Sequence, residues 1–553
     1  MNTWNGKTTV GMLPAQAARQ WPEREALCFK GKRWTFKELD QEIDLVAKGL
    51  IAMGVQSGEK VCVWLNNSPE LVFLLFALAR IGAIQVPINT RFRTADLEYV
   101  LRQADCATLI SDEISGPIDY LSMVHELLPE LPAATTREIN SVAFPSLRRV
   151  LLNSKGVSPG CYSWSDLETL AHGVSDAAAE RRAASVALTD IFLIMYTSGT
   201  MGFPKGVMRN HWQLLDHHTD RIAALDIGID DVMLNYLPLF HVFGYVDGPI
   251  TSMLCGNRQV LTERFDPQES LDLIESEKVT TLGGFEAHLN DLSDKQERSP
   301  RKLSSLRVGL FATGTKSAVP ALVRARRILA PMNTVTVYGT TEIGANVTLS
   351  RLDSTEEQAT ETSGIPSKDY AIRIVDPTTG KDLPVGEPGE IIVKSSKVML
   401  GYYNKPEETA KAFNAQGWFR TGDMGYLRAD GYLRFIGRYK DMLKIGGENV
   451  DPMEVEGYLL SHPCLHHVAV VGRPDSRLSE VAVAFVVPKQ SSAIQEADII
   501  DYCRGRIASF KIPRRVWILP ELPMTANGKV RKEILRRMAL EVQDTCCDER
   551  TAR

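Results

Sequence analysis

The chain has 553 residues, 44% hydrophobic and 24% charged, with a formal net charge of −5. That length exceeds what one hydrophobic core serves, so at least two domains are expected. The near-neutral balance points to neither nucleic acid nor a membrane surface. Nine cysteines are scattered, with no CxxC pair and no His/Cys cluster at zinc spacing, which reads as reduced thiols in a cytoplasmic protein.

The N-terminus "MNTWNGKTTV" lacks the apolar core of a signal peptide. "KVCVWL" (60–65) is a short apolar strand candidate. "LVFLLFALA" (71–79) meets Arg80 too soon to span a bilayer and reads as a buried helix. "AIQVPIN" (83–89) and "ATLIS" (107–111) repeat the strand pattern around the helical "DLEYVLRQAD". Such alternation predicts α/β layers with parallel sheet. From about 125 to 185 the signal weakens into polar and Ala-rich sequence, expected to be surface excursion and linker. Between 370 and 440 short strands with turn signals predict hairpin-rich β structure, and a compact α+β segment follows to roughly 540. No integral membrane segment, internal repeat or low-complexity run is expected.

The stretch "YTSGTMGFPKG", Tyr196 to Gly206, follows the apolar run Ile191–Met195. A Gly-rich loop after a strand suggests a phosphate cradle, but the Walker A spacing fails: Gly202 is followed by Phe203-Pro204-Lys205-Gly206. The chemistry still suits phosphate oxygens, with free backbone N–H groups, the hydroxyls of Thr197, Ser198 and Thr200, and the Lys205 cation. A plain polar surface turn takes the same residues, and the loop alone does not separate the two.

Four further stretches follow in order: "VYGTTE" (337–342), "GWFRTGD" (417–423), "GRYKDMLKIGGENV" (437–450) and "PMTANGKVRK" (523–532). Together with the loop they resemble the adenylate-forming superfamily of acyl- and aryl-CoA ligases, peptide-synthetase adenylation domains and beetle luciferases. The resemblance runs from "WTFKELD" (34–40) to Lys532.

The resemblance implies a large multi-layered N-terminal domain of α/β sheets plus a distorted β-barrel, and a small mobile α+β C-terminal domain. It places the N-terminal domain over residues 1–437, a hinge at 438–440, a C-terminal lid over 441–540 and a polar tail over 541–553. It implies that Thr197, Ser198, Gly199, Thr200, Gly202 and Lys205 hold the β- and γ-phosphates of ATP. Tyr338, followed by Gly339 and Thr340, would lie against adenine. Thr341 would contact the α-phosphate, and Glu342, with Thr200, would hold Mg²⁺, a hard cation that prefers oxygen. Asp423 would bind the ribose hydroxyls through both carboxylate oxygens, with Arg438 near ribose or phosphate. Taken singly, each has a blander reading: a core aromatic for Tyr338, a surface acid for Glu342, an Asx-turn residue for Asp423.

Lys529 would bridge the substrate carboxylate and the α-phosphate during formation of acyl-AMP and pyrophosphate. Lys440 matches the hinge about which the small domain would turn. Lys444, Gly446 and Gly447 would then swing in for thioester formation with coenzyme A. The blander reading of "KIGGENV" is an ordinary tight turn. His241, in "PLFHVFGY", stands where amino-acid-activating relatives carry an aspartate, which argues against an amino-acid substrate; it would line the acid and thiol channel. A lone His is more often structural.

No carrier domain follows Lys532, so a free-standing acyl-CoA ligase is the expected reading. Two others stand beside it: an acyl-adenylating enzyme that delivers acyl-AMP to a carrier protein or partner enzyme, and a nucleotide-binding relative without chemistry. Met201 replaces the usual hydroxyl residue in the phosphate loop. The pocket segments 281–292 and 311–320 also depart from the family pattern. Phe243, Tyr245, Phe285, Ala312 and Gly314 are the expected acid-pocket residues, and their apolar character predicts a hydrophobic monocarboxylic acid. Asp247, Glu286 and His288 either cap helices or face water, or meet a polar group on the acid.

Overall fold

A computed structural model describes Trp4 and residues 6–197, 204–312, 318–445, 448–475, 477–489, 494–504, 506–525 and 529–541. Two large sheets dominate the first three quarters of the chain. One has nine strands in the order Ile365–Pro366, Gly344–Leu349, Asn333–Thr340, Val308–Phe311, Thr281–Gly284, Val232–Asn235, Arg258–Leu261, Glu25–Phe29 and Lys32–Thr35. The other has eight, in the order Gly401–Tyr402, Lys205–Asn210, Ile191–Thr197, Ile84–Pro87, Lys60–Trp64, Thr108–Ser111, Arg149–Leu152 and Cys161–Ser163. Their central pairings are parallel, the arrangement that alternating strands and helices produce.

The expected buried helix spans Pro69–Arg80. Ser68 caps it by accepting the Leu71 N–H, Pro69 opens it, and nearly every side chain is buried. A helix apolar on all sides needs protein on all sides. It packs on Phe36–Ala52, and both belong to one core that also takes in the inner face of the nine-stranded sheet. Arg80 ends the helix inside this layer, with its guanidinium on the Gly11 carbonyl and the Asp40 carboxylate.

The segment from 125 to 185 is not a linker. Arg149–Leu152 and Cys161–Ser163 extend the eight-stranded sheet, and Trp164–Ala171 and Asp176–Ala184 are capped helices. Strands of four and three residues are too short to display a period. The Ala-rich stretch that resembled a spacer is a helix started by Ser175.

Residues 371–438 form a four-stranded antiparallel sheet, Ala371–Val375, Gly389–Lys394, Phe419–Leu427 and Leu433–Arg438, over its own core containing Tyr338, Ile391 and Leu433. The C-terminal part builds a separate sheet from Glu448–Val450, Leu443–Ile445, Ser479–Pro488 and Leu465–Asp475, with Arg515–Ile518 alongside. Helices Pro452–Leu460, Glu496–Cys503 and Lys532–Glu541 cover it. The C-terminal unit meets the N-terminal one at several points, among them Lys529 at Phe285 and His466 at Asp291 and Asp294. No described helix is long and apolar enough to cross a membrane.

Candidate active site

In parallel sheets, ligand-binding groups collect beyond the carboxyl ends of the strands. Strand Asn333–Thr340 ends in Tyr338, Gly339 and Thr340, then turns back into Gly344–Leu349. A Cβ at position 339 would lie 2.2 Å from the Gly344 carbonyl oxygen, so this close return requires glycine.

The buried Tyr338 hydroxyl donates to Asp423 Oδ2 at 2.7 Å, and its ring stacks on Phe435 with centroids 5.6 Å apart. Asp423 pairs in register with Arg438 on the neighbouring strand, and Arg438 Nε stands 3.1 Å from Oδ1. That ion pair lacks hydrogen-bond alignment, so the buried Oδ1 has no hydrogen-bond partner. Burial raises the Asp423 carboxyl above the usual carboxylate range, against the pull of Arg438 and Tyr338. Thr340 Oγ1 is likewise buried without a partner. A buried acceptor and a buried hydroxyl left without partners suit a ligand rich in hydroxyls and phosphate oxygens. One carboxylate oxygen of Asp423 is open, rather than both.

Glu342 lies on the turn after Thr341. Its Oε1 accepts from Tyr402 at 3.2 Å and lies 3.5 Å from Thr197 Oγ1 at the end of strand Ile191–Thr197. Among the described residues no Lys or Arg lies within ion-pair distance of this carboxylate, so its charge is available to a cation. Arg209, fully buried, donates to the Thr341 carbonyl at 2.6 Å and to the Lys397 carbonyl. It therefore fixes the backbone that carries Glu342. Lys205 pairs with Glu408 at 2.7 Å, its ammonium 4.8 Å from the Tyr402 ring centroid.

Lys529 reaches this centre from the C-terminal unit. Its ammonium lies 5.1 Å from the Phe285 ring centroid. Lys529 is exposed overall, yet desolvation by the surrounding protein, and then repulsion by Arg438, push its pKa down to about 8 despite Asp423. His241 faces the same place, with its ring 6.3 Å from Phe285. Burial, and then the Lys529 charge, push His241 down to about 3. The Phe243 N–H meets its Nδ1 at 3.3 Å, so the neutral ring carries its proton on Nε2.

Phe243 and Phe285 meet edge to face at 5.6 Å, both buried. Gly283 faces Phe243, and a Cβ there would stand 3.3 Å from that ring. Gly283 also lines a small cavity of about 20 Å³ with Leu237, Leu282, Leu310 and Met233. Ala312 packs at the edge of the same core. Tyr245 is fully buried with its hydroxyl on Gln85. His288 caps its own helix by accepting the Phe285 N–H at 3.0 Å. Glu286 is raised to about 7, chiefly by burial and then by Glu456.

Ser198, Gly199, Thr200, Met201, Gly202, Gly314, Gly446 and Gly447 lie outside the described residues, as do the side chains of Asp247, Lys440 and Lys444. The backbone of Lys440 forms the middle of a 3-10 turn, Tyr439–Asp441. Three contributors were not anticipated: Phe435 behind Tyr338, Tyr402 on Glu342, and Arg209. None stands in a motif.

The chain matches the AMP-binding enzyme family over residues 14–403 and the AMP-binding enzyme C-terminal domain over 454–529. It therefore belongs to the AMP-binding enzymes, the adenylate-forming superfamily. It is 34% identical to a 7a-methyl-1,5-dioxo-octahydro-1H-inden-4-yl propanoyl:CoA ligase of Rhodococcus jostii (strain RHA1), covering 96% of this chain and 98% of that one. It is 30% identical to a medium-chain fatty-acid–CoA ligase of Escherichia coli (strain K12), covering 96% and 91%. The crystal structure of the anthranilate CoA ligase AuaEII in complex with anthranoyl-AMP superposes with a TM-score of 0.83 at 26% identity, over 97% of this chain and 98% of that one.

Proposed function

We propose that this protein is an ATP-dependent, AMP-forming acid–CoA ligase that activates a hydrophobic monocarboxylic acid as acyl-AMP and passes the acyl group to the thiol of coenzyme A. The observation that carries the reading is the Lys529 ammonium standing in the cleft between Phe285, His241 and the Asp423–Arg438 pair.

Adenylation brings two anions together, the acid and the triphosphate. Lys529 supplies the mobile positive charge at the point where carboxylate oxygen meets α-phosphorus. Tyr338 orients Asp423 so that Oδ1 accepts a ribose hydroxyl, and Arg438 balances the buried carboxylate. Thr340 and Thr341 offer hydroxyls to the phosphate. Lys205, on releasing Glu408, joins the donors of residues 197–202 on the β- and γ-phosphates. Glu342 is the residue that would hold Mg²⁺, and the bound ion would supply neutralisation of phosphate charge. The carboxylate attacks phosphorus, the P–O bond to pyrophosphate breaks, and the acyl carbonyl becomes an electrophile with AMP as its leaving group.

The second step requires Lys529 to withdraw. Rotation about Lys440 would carry it out and bring Lys444 and Gly446-Gly447 toward the thiol channel, with neutral His241 on the channel wall. Thiolate sulfur then attacks the carbonyl and AMP departs.

The pocket favours apolar acids, because Phe243 and Phe285 form its wall and most of the groups around the cavity behind Gly283 are aliphatic, with Arg221, Asn235 and Thr281 among them. The acids in the relatives' names, a bicyclic propanoate, medium-chain fatty acids and anthranilate, fit that class. Pyrophosphate release is the test, measured with octanoate, cyclohexanecarboxylate, benzoate, a steroid- or terpenoid-type acid, phenylalanine and succinate. One of the first four should lead. A wide margin for phenylalanine or succinate would refute the assignment.

A further inference from the structure

Strand Leu465–Asp475 carries two consecutive histidines in "LHHV". Neighbours in a regular strand point to opposite faces. Here the pairing with Ser479–Pro488 slips between Leu465 and His467. Such a bulge adds one residue and re-aims the side chains around it. The two imidazoles consequently lie on one side, with centroids 4.0 Å apart.

They face helix Glu286–Arg298 of the large domain, the helix that starts beside the Phe285 wall of the acid pocket. His466 Nε2 is 3.7 Å from Asp291 Oδ1, and its Nδ1 is 3.7 Å from Asp294 Oδ2. One ligand atom from each of Asp291, His466 and His467 falls within 4.8 Å of the others. Neither ring has a hydrogen-bond partner among the described residues. Arg324 satisfies Asp294 at 2.6 Å, whereas among the described residues Asp291 has no Lys or Arg within ion-pair distance. An imidazole is mostly neutral near pH 7 and offers a lone pair to a cation. Two imidazoles and a carboxylate form a ligand set of the kind that zinc-type cations take, with water as the fourth ligand. Ligands of a tetrahedral shell stand roughly 3.4 Å apart, given metal–ligand bonds of ~2.1 Å, so small side-chain rotations close the cluster.

We propose that Asp291, His466 and His467 form a binding site for a zinc-type divalent cation that bridges the two domains and holds them in the arrangement seen here. The effect on turnover rests on the domain rotation proposed above; the binding itself does not. A bound ion keeps Lys529 in the cleft, so it spares adenylation and slows thioester formation.

The test uses the full chain, its His466→Ala/His467→Ala double variant and Asp291→Asn, with equal thermal stability by circular dichroism as the control for folding. Calorimetric titration with ZnCl₂, without ATP, should find one more ion per chain in the parent than in the double variant, and affinity at that site at least about tenfold weaker in Asp291→Asn. Ions on the tail thiols Cys546 and Cys547 bind all three alike and cancel. Equal stoichiometry and affinity in parent and double variant would overturn the site. Thioester formation from supplied acyl-AMP, with zinc equimolar to protein, should fall at least about fivefold in the parent and stay unchanged in the double variant. An equal fall in both, or none in the parent, would overturn the bridge.

Discussion

The ammonium of Lys529 stands 5.1 Å from the centre of the Phe285 ring. One residue belongs to the small C-terminal domain, the other to the large N-terminal one. Under the function proposed above, the cation would lie where a carboxylate and a phosphate meet, the geometry of adenylation.

This placement gives adenylation a pH dependence. Desolvation and Arg438 lower Lys529 to about 8. The proton is present below that value and lost above it, so kcat/KM for pyrophosphate release should fall as pH rises through about 8. Lys529→Arg keeps its charge throughout and should lose the alkaline limb, at a lower plateau. An alkaline limb unchanged in Lys529→Arg would assign the titration to another group.

Tyr338→Phe removes the O–H that holds Asp423 Oδ2 and leaves the stack on Phe435 in place. Hydrogen bonds to charged groups are worth ~1.5–3 kcal/mol. KM for ATP should rise at least about tenfold, with little change in KM for the acid. Equal changes in both constants would mean that the tyrosine supports the whole cleft.

Phe243→Ala should widen the acid pocket toward the cavity behind Gly283. The ratio of kcat/KM for a polycyclic acid over benzoate should rise about tenfold or more, the scale of a few methylene contacts. Deleting a buried ring also costs ~3–5 kcal/mol of stability, visible as a lower Tm. An unchanged ratio would place the substrate's far end elsewhere.

Lys440→Pro fixes φ near −65° and removes a backbone donor in the 3-10 turn Tyr439–Asp441 that joins the last strand of the four-stranded sheet to the C-terminal domain. Pyrophosphate release should persist while thioester formation falls steeply. Unimpaired overall turnover would locate the pivot elsewhere.

Much of this was readable from the sequence where local pattern and global packing agree. The all-apolar face of 71–80 could only be buried, and it is. Tyr338, Glu342, Asp423 and Arg438 stand in motifs whose order matches the family, so the resemblance could bring them together. The short strands at 149–152 and 161–163 were missed because too few residues carry a period. Arg209, Tyr402 and Phe435 were missed because their roles depend on contacts across 132, 60 and 97 positions, which no local pattern encodes. The paired histidines at 466 and 467 were passed over for a related reason: a bulge aims them at a carboxylate more than 170 residues earlier in the chain.

The most direct test of the account separates the two half-reactions in Lys529→Ala. A charge-stabilising donor is commonly worth about 10²–10³ in rate. Pyrophosphate release from acid and ATP should therefore fall by at least about a hundredfold, on that scale. Conversion of supplied acyl-AMP and coenzyme A to thioester and AMP should stay within about twofold of the parent, because the proposed rotation withdraws Lys529 before that step. Equal loss in both half-reactions would contradict the claim that this arrangement serves adenylation alone.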